Sequence, residues 1–200
     1  PAVKSALKNK IKIAKYDPAY WVAKYYSGKE LINIDRGIFS IYFFNLLHLK
    51  RGEGIFQGAG LPHAYLEGKN IELMANSDNV LRAGLTPKHI DVPELMKHVI
   101  FKGINPEILQ GRKDGKGIFM YDCPVQDFAL AALQLNEGDN ASYHSLTPEI
   151  ILVMEGNAKI KSSSRTMTMK KGEVIFVAAG ENYTMNAIGK LLAFKAFVPY

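Results

Sequence analysis

Apolar residues near the start of the chain recur every three to four positions, which is the spacing of an amphipathic helix. This pattern predicts two helices, over residues 5–15 and 17–27. Asp17 suits the N-cap of the second helix because Pro18 follows it at the first helical position, and Gly28 suits its end. Neither helix carries a residue pattern with chemistry of its own.

From residue 38 onward, the helical period gives way to β-branched and aromatic runs that are typical of strands. The first is a long run from Phe39 to Leu49. Shorter runs follow from Ile55 and from His63, and residues 71–75 alternate between apolar and polar side chains. Asp91 then caps a short predicted helix, which places a domain boundary near residue 100.

The second half of the chain contains many short alternating segments, each bounded by turn residues. Nine strands are predicted there: Gly117–Tyr121, Phe128–Leu135, Ala141–His144, Glu149–Met154, Ala158–Ser162, Thr166–Met169, Glu173–Val177, Asn182–Ala187 and Leu191–Phe197. Turns are predicted between them at residues 136–139, 155–157, 170–172 and 179–181. Short strands at this spacing indicate a β-sandwich or barrel such as a jelly roll, so the fold class is mainly β with a short N-terminal helical segment.

The strand region contains an internal repeat. Residues 49–63 align without gaps on residues 169–183, with lysine, glycine, glutamate, isoleucine, phenylalanine, alanine and glycine recurring in register. The first copy ends at His63 and the second at Tyr183. The repeat therefore predicts two related β units, only one of which ends in a metal-binding residue type.

Composition narrows the function classes. The chain has 48% hydrophobic and 22% charged residues, as in an ordinary globular protein, and no apolar stretch long enough to span a bilayer. Cys123 stands alone and no secretory leader opens the chain, so we expect a cytoplasmic protein with no membrane partner. Residues 1–30 carry +5 of the net charge of +6. Positive charge confined to one lysine-rich segment is more typical of the solvated face of a helix than of a nucleic-acid interface, so we expect no nucleic-acid partner.

The repeat resembles the second sequence motif of the cupins, in which two glycines precede a metal-binding histidine. Gly52, Gly60 and His63 fit that pattern. In the second copy Gly172 and Gly180 fit, but Tyr183 replaces the ligand. The first cupin motif is partly present once, before the second copy of the repeat. Its matching residues are Gly138, His144, Glu149 and Gly156, and Leu146 stands in place of the second histidine. This resemblance implies a second cupin that has lost its metal site.

Residues 61–66, 76–88 and 91–92 resemble the type I mannose-6-phosphate isomerases, a zinc-dependent family within the cupins. The resemblance implies an aldose-ketose isomerase that interconverts mannose 6-phosphate and fructose 6-phosphate through an enediol. It also implies three regions: a helical segment (1–31) that is part of a helical insertion, the closing strands of an incomplete catalytic cupin (32–100), and a metal-free C-terminal cupin (101–200).

The resemblance assigns a role to six residues. His63 matches a zinc ligand, and Arg82 and Lys88 match catalytic positions. The substrate-binding positions are Tyr65, Glu72 and Asp78. Zinc would stabilise an enediolate, and an arginine would stabilise charge or hold the phosphate. A carboxylate, a lysine or a histidine could move the proton between C1 and C2, and the sequence leaves that choice open.

The residue types also have structural interpretations. Tyr65 and Glu72 suit the surface of a half-solvated sheet, Asp78 suits a turn, and Arg82 suits an ion pair. His63, after a proline in a glycine-rich turn, is the residue that packing explains least. Only as a group do these residues favour an active site.

The family's other zinc ligands, a glutamine, a histidine and a glutamate, lie in an N-terminal half with no counterpart here. We therefore expect this chain to match the C-terminal portion of the enzyme and to be inactive alone, because a zinc site needs three or four protein ligands. We expect it to bind the hexose 6-phosphate substrate together with that missing N-terminal half, or to self-associate through unpaired strand edges. The alternative is a non-catalytic cupin module that binds sugars or phosphosugars without metal.

Overall fold

The computed structural model of the chain describes residues 13–26, 34–77, 79–115 and 117–200. The chain divides into two compact units. The first comprises residues 1–50, 57–69 and 78–106, and the second comprises residues 51–56, 70–77 and 107–200. Most of the helix predicted over residues 5–15, as well as Gly28 and Asp78, lies outside the described residues.

The first unit contains short helices that begin at aspartate caps. Helix α1 (Pro18–Tyr25) begins where the Asp17 carboxylate accepts a hydrogen bond of 2.8 Å from the backbone N–H of Ala19. A 3₁₀ helix (Arg36–Phe39) leads directly into α2 (Ser40–Phe43). Helix α3 (Val92–His98) begins at Asp91, as predicted. None of the helices in the described ranges is long and apolar enough to cross a membrane.

The strand predicted from Phe39 to Leu49 is wrong over its first part, where residues 36–43 are helical. Asp35 explains the local choice, because its carboxylate accepts the N–H of Gly37 and starts a helical turn. Residues 45–50 have no regular secondary structure. The strands predicted from Ile55, from His63 and over residues 71–75 are also wrong, because between residues 44 and 91 the described backbone makes one β-bridge, from Gly54 to Leu109. A β-prone run becomes a strand only beside a partner that completes its hydrogen-bond ladder.

The second unit is an antiparallel β structure, as predicted. Its strands are β1 (Arg112–Lys113), β2 (Ile118–Tyr121), β3 (Ala129–Leu135), β4 (Asn140–His144), β5 (Glu149–Ser162), β6 (Thr166–Lys170), β7 (Val174–Val177) and β8 (Asn182–Phe197). The hydrogen-bonded order is β1-β2-β3-β8-β5-β6, with β4 also on β8 and β7 also on β5. The two long strands β5 and β8 pair over most of their lengths and form the centre of the unit.

Strand β5 replaces two predicted strands, so the turn predicted at residues 155–157 is wrong. The chain passes through this point as an irregularity in the β5–β8 ladder, with register shifts on both sides of Glu155. Gly156 has φ +70°, and a Cβ there would collide with the carbonyl oxygen of Lys190. The glycine therefore marks a bulge at which two backbone segments approach closely. Glycine is common in both turns and bulges, so the sequence alone did not distinguish the two. Strand β8 likewise runs without a break through the predicted gap between residues 187 and 191.

The core of the second unit is formed by the inward faces of its strands. Ile151 and Val153 of β5 alternate with exposed or half-buried neighbours and are fully buried. Leu133 on β3 and Met185 and Leu191 on β8 pack in the same cluster. Truncating such a side chain to alanine costs about 2 to 5 kcal/mol, so this face determines the stability of the unit.

Candidate functional site

His63 lies on an irregular, exposed loop of the first unit. Its Nδ1 atom is 2.9 Å from the carbonyl oxygen of Leu61. A carbonyl only accepts, so the neutral ring must carry its proton on Nδ1 to make this hydrogen bond, which leaves the lone pair on Nε2. Metal-ligating histidines are commonly held by this kind of hydrogen bond. In that tautomer Nε2 of His63 is the ring nitrogen that could accept a hydrogen bond or bind a metal.

The motif glycine Gly60 holds the loop that leads to His63. Its carbonyl oxygen accepts a hydrogen bond of 2.9 Å from the backbone N–H of Ile100, just after α3. Its φ is +75°, and a Cβ at this position would lie 2.8 Å from the carbonyl oxygen of His98. Both the backbone angle and the close approach require glycine here. The spacing between motif glycine and histidine thus has a structural reason within the first unit.

Tyr65 is brought near His63, with ring centroids 6.2 Å apart and planes at 59°. Two residues further on, the Glu67 carboxylate accepts hydrogen bonds from Lys15 at 3.1 Å and Lys24 at 2.9 Å. The bonds from Lys24 and Lys15 lower the pKa of Glu67. The two lysines connect the loop to α1 and to the residues just before it.

Arg82 and Lys88 share a second loop of the first unit. Arg82 is half-buried, and Lys88 is exposed with its backbone N–H donating to Thr86 Oγ1 at 3.2 Å. Between them Leu85 has φ +54°, which is uncommon for a residue with a branched side chain. The Asp35 carboxylate accepts a hydrogen bond of 2.7 Å from the backbone N–H of Leu85. This bond helps to hold the strained turn between the two cations.

Two glycines pack against each other beside this turn. A Cβ on Gly84 would lie 3.0 Å from the Cα of Gly37, and Gly84 has φ +146°. The other oxygen of Asp35 accepts the N–H of Gly37 at 2.7 Å. Asp35 therefore bonds one backbone group on each side of the glycine contact. This joins the 3₁₀ helix to the loop that carries Arg82 and Lys88.

The structure thus brings some of the predicted site residues close to one another, but not all of them. His63 lies beside Tyr65, and Arg82 and Lys88 lie on one loop held by Asp35. Glu72 is an exposed residue of the second unit. Sequence reasoning missed Asp35, although an aspartate two residues before a glycine is a recognisable capping signal.

The described residues do not form a complete metal site. No group of three or more histidine, cysteine, aspartate or glutamate side chains that could hold a metal ion occurs among them. His98 is 2.9 Å from a Glu94 oxygen, and His144 Nδ1 is 2.9 Å from the amide oxygen of Asn182.

In the second unit the two motif residues Glu149 and Tyr183 meet in the interior. The Tyr183 hydroxyl donates to Glu149 Oε2 at 2.7 Å, and the Lys195 ammonium donates to Glu149 Oε1 at 2.8 Å. Burial, followed by the bond to Glu149, raises the pKa of Tyr183 strongly. Where a metal-binding cupin would have a carboxylate and a histidine around a cation, this unit has a buried ion pair.

Comparison with known proteins identifies relatives for most of the chain, although no protein-family model matches it. Mannose-6-phosphate isomerase of Cryptococcus neoformans is 37% identical over 170 residues, covering 82% of this chain and 39% of that protein. Mannose-6-phosphate isomerase of Escherichia coli is 41% identical over 160 residues, covering 78% of this chain and 40% of that protein. The chain thus spans about 40% of the length of these curated relatives.

Solved structures extend the similarity to nearly every residue. Mannose 6-phosphate isomerase from Salmonella typhimurium, solved with fructose 6-phosphate and zinc bound, superposes with a TM-score of 0.78 at 32% identity. The match covers 99% of this chain and 49% of that one. A K132A variant of the same enzyme superposes with a TM-score of 0.79. The similarity confirms the predicted cupin fold and corresponds to the C-terminal portion of the relatives.

Proposed function

Over its matched residues this chain belongs to the mannose-6-phosphate isomerase family, and from that premise we propose that it forms part of an aldose-ketose isomerase. The reaction is the interconversion of mannose 6-phosphate and fructose 6-phosphate. The observation that carries the proposal is His63, whose Nδ1 faces the Leu61 carbonyl so that Nε2 is the nitrogen left for a metal. The relative that contains both fructose 6-phosphate and zinc supports the same assignment.

Zinc suits this chain only as a shared site. His63 would supply one ligand, whereas catalytic zinc requires three protein ligands and an open position. The described residues hold no three-residue ligand group, so the remaining ligands are expected outside this chain. For that reason we expect the chain alone to be inactive.

Arg82 and Lys88 are the proposed catalytic cations. The backbone between them is held by the Asp35 hydrogen bond to Leu85 and by the Gly37–Gly84 contact, which supports this proposal. A guanidinium binds a phosphate or an enediolate oxygen through two parallel hydrogen bonds. The ammonium of Lys88 adds a second positive charge for the same anionic substrate, or serves as the proton-transfer base.

Tyr65, Glu72 and Asp78 are proposed to bind the sugar. The Tyr65 ring is 58% exposed and lies beside His63, where it could contact a substrate bound near the metal ligand. Glu72 would accept hydrogen bonds from sugar hydroxyls, and it is also a candidate for the proton-transfer base. Asp78 is assigned on the family resemblance.

We also propose that the substrate-binding part of the chain requires a partner. Large apolar side chains between residues 39 and 49 are exposed, including Phe43 at 82% and Phe39 at 59%. Exposed apolar surface on this scale marks an interaction site. The occupant we favour is the family's N-terminal half, with self-association as the competing possibility.

We propose the same three regions as the resemblance implies: a helical segment (1–31), the closing part of the catalytic cupin (32–100) and a metal-free C-terminal cupin (101–200). We also propose that the protein is cytoplasmic.

The decisive experiment is complementation. The 200-residue chain is assayed for isomerase activity and zinc content alone and after mixing with the N-terminal half of the Escherichia coli relative. We expect activity and bound zinc only in the mixture. His63→Ala should abolish both, whereas His89→Ala serves as a matched control in another exposed loop.

Two results would contradict the proposal. Turnover with bound zinc in the chain alone would mean that it holds a complete ligand set. A mixture that forms a stable complex, binds the sugar phosphate and still lacks activity and zinc would favour the non-catalytic phosphosugar-binding module.

A further inference from the structure

The second unit contains a cavity of about 310 Å³ that the proposed isomerase site does not use. Its lining includes Asp114, Met120, Glu149, Lys195 and Phe197. Binding sites for small molecules begin at about 300 Å³, so the cavity is large enough for one small ligand. It lies wholly within the second unit.

Lys195 gives the cavity a hydrogen-bond donor. The residue is 8% exposed, and within the described chain its ammonium donates one hydrogen bond, to Glu149 Oε1 at 2.8 Å. An ammonium has three N–H donors. Its nearest other neighbours include the rings of Phe197 and Tyr143, with centroids 5.0 and 5.9 Å from Nζ. The ammonium therefore keeps donor capacity for an oxygen atom in the cavity.

Tyr143 neighbours Lys195 and Tyr183 but does not itself line the cavity. Its hydroxyl is buried and has no hydrogen-bond partner among the described residues. Its ring lies 5.3 Å from that of Tyr183, which bonds Glu149. Burial, followed by the charges of Asp114 and Glu149, raises the pKa of Tyr143 to about 12.

The lining determines the class of ligand. The carboxylates of Asp114 and Glu149 accept hydrogen bonds, and the Lys195 ammonium donates them. Two carboxylates against one ammonium disfavour a phosphate or another anion. A hydroxyl group both accepts from an ammonium and donates to a carboxylate, and the faces of Met120 and Phe197 suit the C–H surface of a sugar ring. We propose that this cavity binds a small neutral polyhydroxylated molecule of about hexose size, at a site separate from the isomerase site.

Binding is tested on the purified chain carrying Arg82→Ala, so that the proposed isomerase site does not contribute. Saturation-transfer NMR and calorimetry are run with D-mannose and D-fructose, and separately with their 6-phosphates. A chelator is present throughout. We expect the neutral sugars to bind with a Kd of about 1 to 10 mM and the 6-phosphates to bind more weakly.

Two variants locate the site. Ala129 lines the cavity on β3, and Ala129→Leu should fill it and weaken binding by about tenfold or more. Gln134→Leu on an exposed position of the same strand is the matched control and should bind normally. Asp114→Asn keeps an oxygen that can accept the N–H of Ile118, which lies 3.2 Å from Oδ1, but it removes the negative charge and turns the other oxygen into an N–H donor. It should weaken neutral-sugar binding several-fold while the unfolding midpoint stays unchanged.

Absence of neutral-sugar binding at about ten times the expected Kd would overturn the inference. So would binding that survives Ala129→Leu in a folded variant, or tighter binding of the 6-phosphates than of the neutral sugars. None of these results bears on the isomerase proposal, because the complementation assay tests His63, which belongs to the first unit.

Discussion

The carboxylate of Asp35 accepts a hydrogen bond of 2.7 Å from the backbone N–H of Leu85, fifty residues further along the chain. This bond connects the start of the 3₁₀ helix to the turn between Arg82 and Lys88. Leu85 lies at positive φ, a conformation that persists where the surroundings enforce it. Asp35 is therefore a positioning residue for the proposed catalytic loop, although the family resemblance assigned it no role.

Replacing Asp35 by alanine should destabilise the first unit by about 1 to 3 kcal/mol, because two backbone N–H groups lose their acceptor. Asp35→Asn keeps Oδ1 and should lose about half as much. In the complemented enzyme, Asp35→Ala should raise KM for the sugar phosphate as the cations lose their fixed position. Thermal unfolding and steady-state kinetics measure the two effects. An unchanged KM in a destabilised variant would limit Asp35 to a structural role.

Gly84→Ala should destabilise the first unit by about 2 kcal/mol or more, because the added Cβ would lie 3.0 Å from the Cα of Gly37 at an unfavourable φ. Gly68→Ala is the matched control, since Gly68 also has positive φ but a Cβ added there would meet no atom within 4 Å. Its cost should be limited to about 1 kcal/mol of backbone strain. Equal losses in the denaturant midpoints of the two variants would argue against the close glycine contact.

Removing either member of the buried ion pair between Lys195 and Glu149 should destabilise the second unit. Lys195→Met or Glu149→Gln leaves one group without its partner in the interior, and each should lower the free energy of unfolding by about 3 to 5 kcal/mol. The double variant should recover much of that loss, because no unpaired charge remains. Chemical unfolding of the four proteins gives the coupling energy. Additive losses in the double variant would show that the two side chains act independently.

The neighbouring tyrosines Tyr143 and Tyr183 should respond differently to removal of the hydroxyl. Tyr183→Phe removes the donor to Glu149 Oε2 and should cost about 1 to 3 kcal/mol. Tyr143→Phe removes a buried hydroxyl that has no partner in the described chain, so it should be neutral or stabilising. Burial as the leading cause raises the pKa of Tyr143 to about 12, so one tyrosine absorbance transition near that pH should disappear in Tyr143→Phe. Strong destabilisation by Tyr143→Phe would show that the hydroxyl has a structural partner.

Glu67 should make the free energy of unfolding of the first unit depend on pH. Hydrogen bonds from Lys24 and Lys15 lower its pKa below 4.5, so the folded state holds the charged carboxylate more strongly than the unfolded state does. The stabilisation is therefore present above pH 4.5 and disappears as the pH falls through the lowered pKa of the folded state. Wild type and Glu67→Gln should differ in unfolding midpoint at about pH 7 and converge in acid. Because the site is exposed, high salt should reduce the difference. A difference that stays constant with pH would exclude this ion pair as its source.

Much of the fold was already determined by local features of the sequence. Alternating polarity and turn residues predicted the strands of the second unit, and Asp17 and Asp91 predicted the starts of α1 and α3. The glycines before His63 predicted a tight turn there, and the backbone at Gly60 does require glycine. These features act over a few residues, since side-chain period and cap hydrogen bonds depend on near neighbours.

The tertiary structure decided the features that depend on residues far apart in the sequence. Residues 39–43 are β-prone yet helical, because Asp35 caps a turn there and the described chain offers no strand beside them. Gly156 marks a bulge because the Lys190 carbonyl passes against it in the β5–β8 ladder. The contacts of Asp35 with Leu85 and of Glu149 with Lys195 join residues 50 and 46 positions apart. Periodicity and capping carry no information about such pairs, because their stability arises only when the fold removes both groups from water.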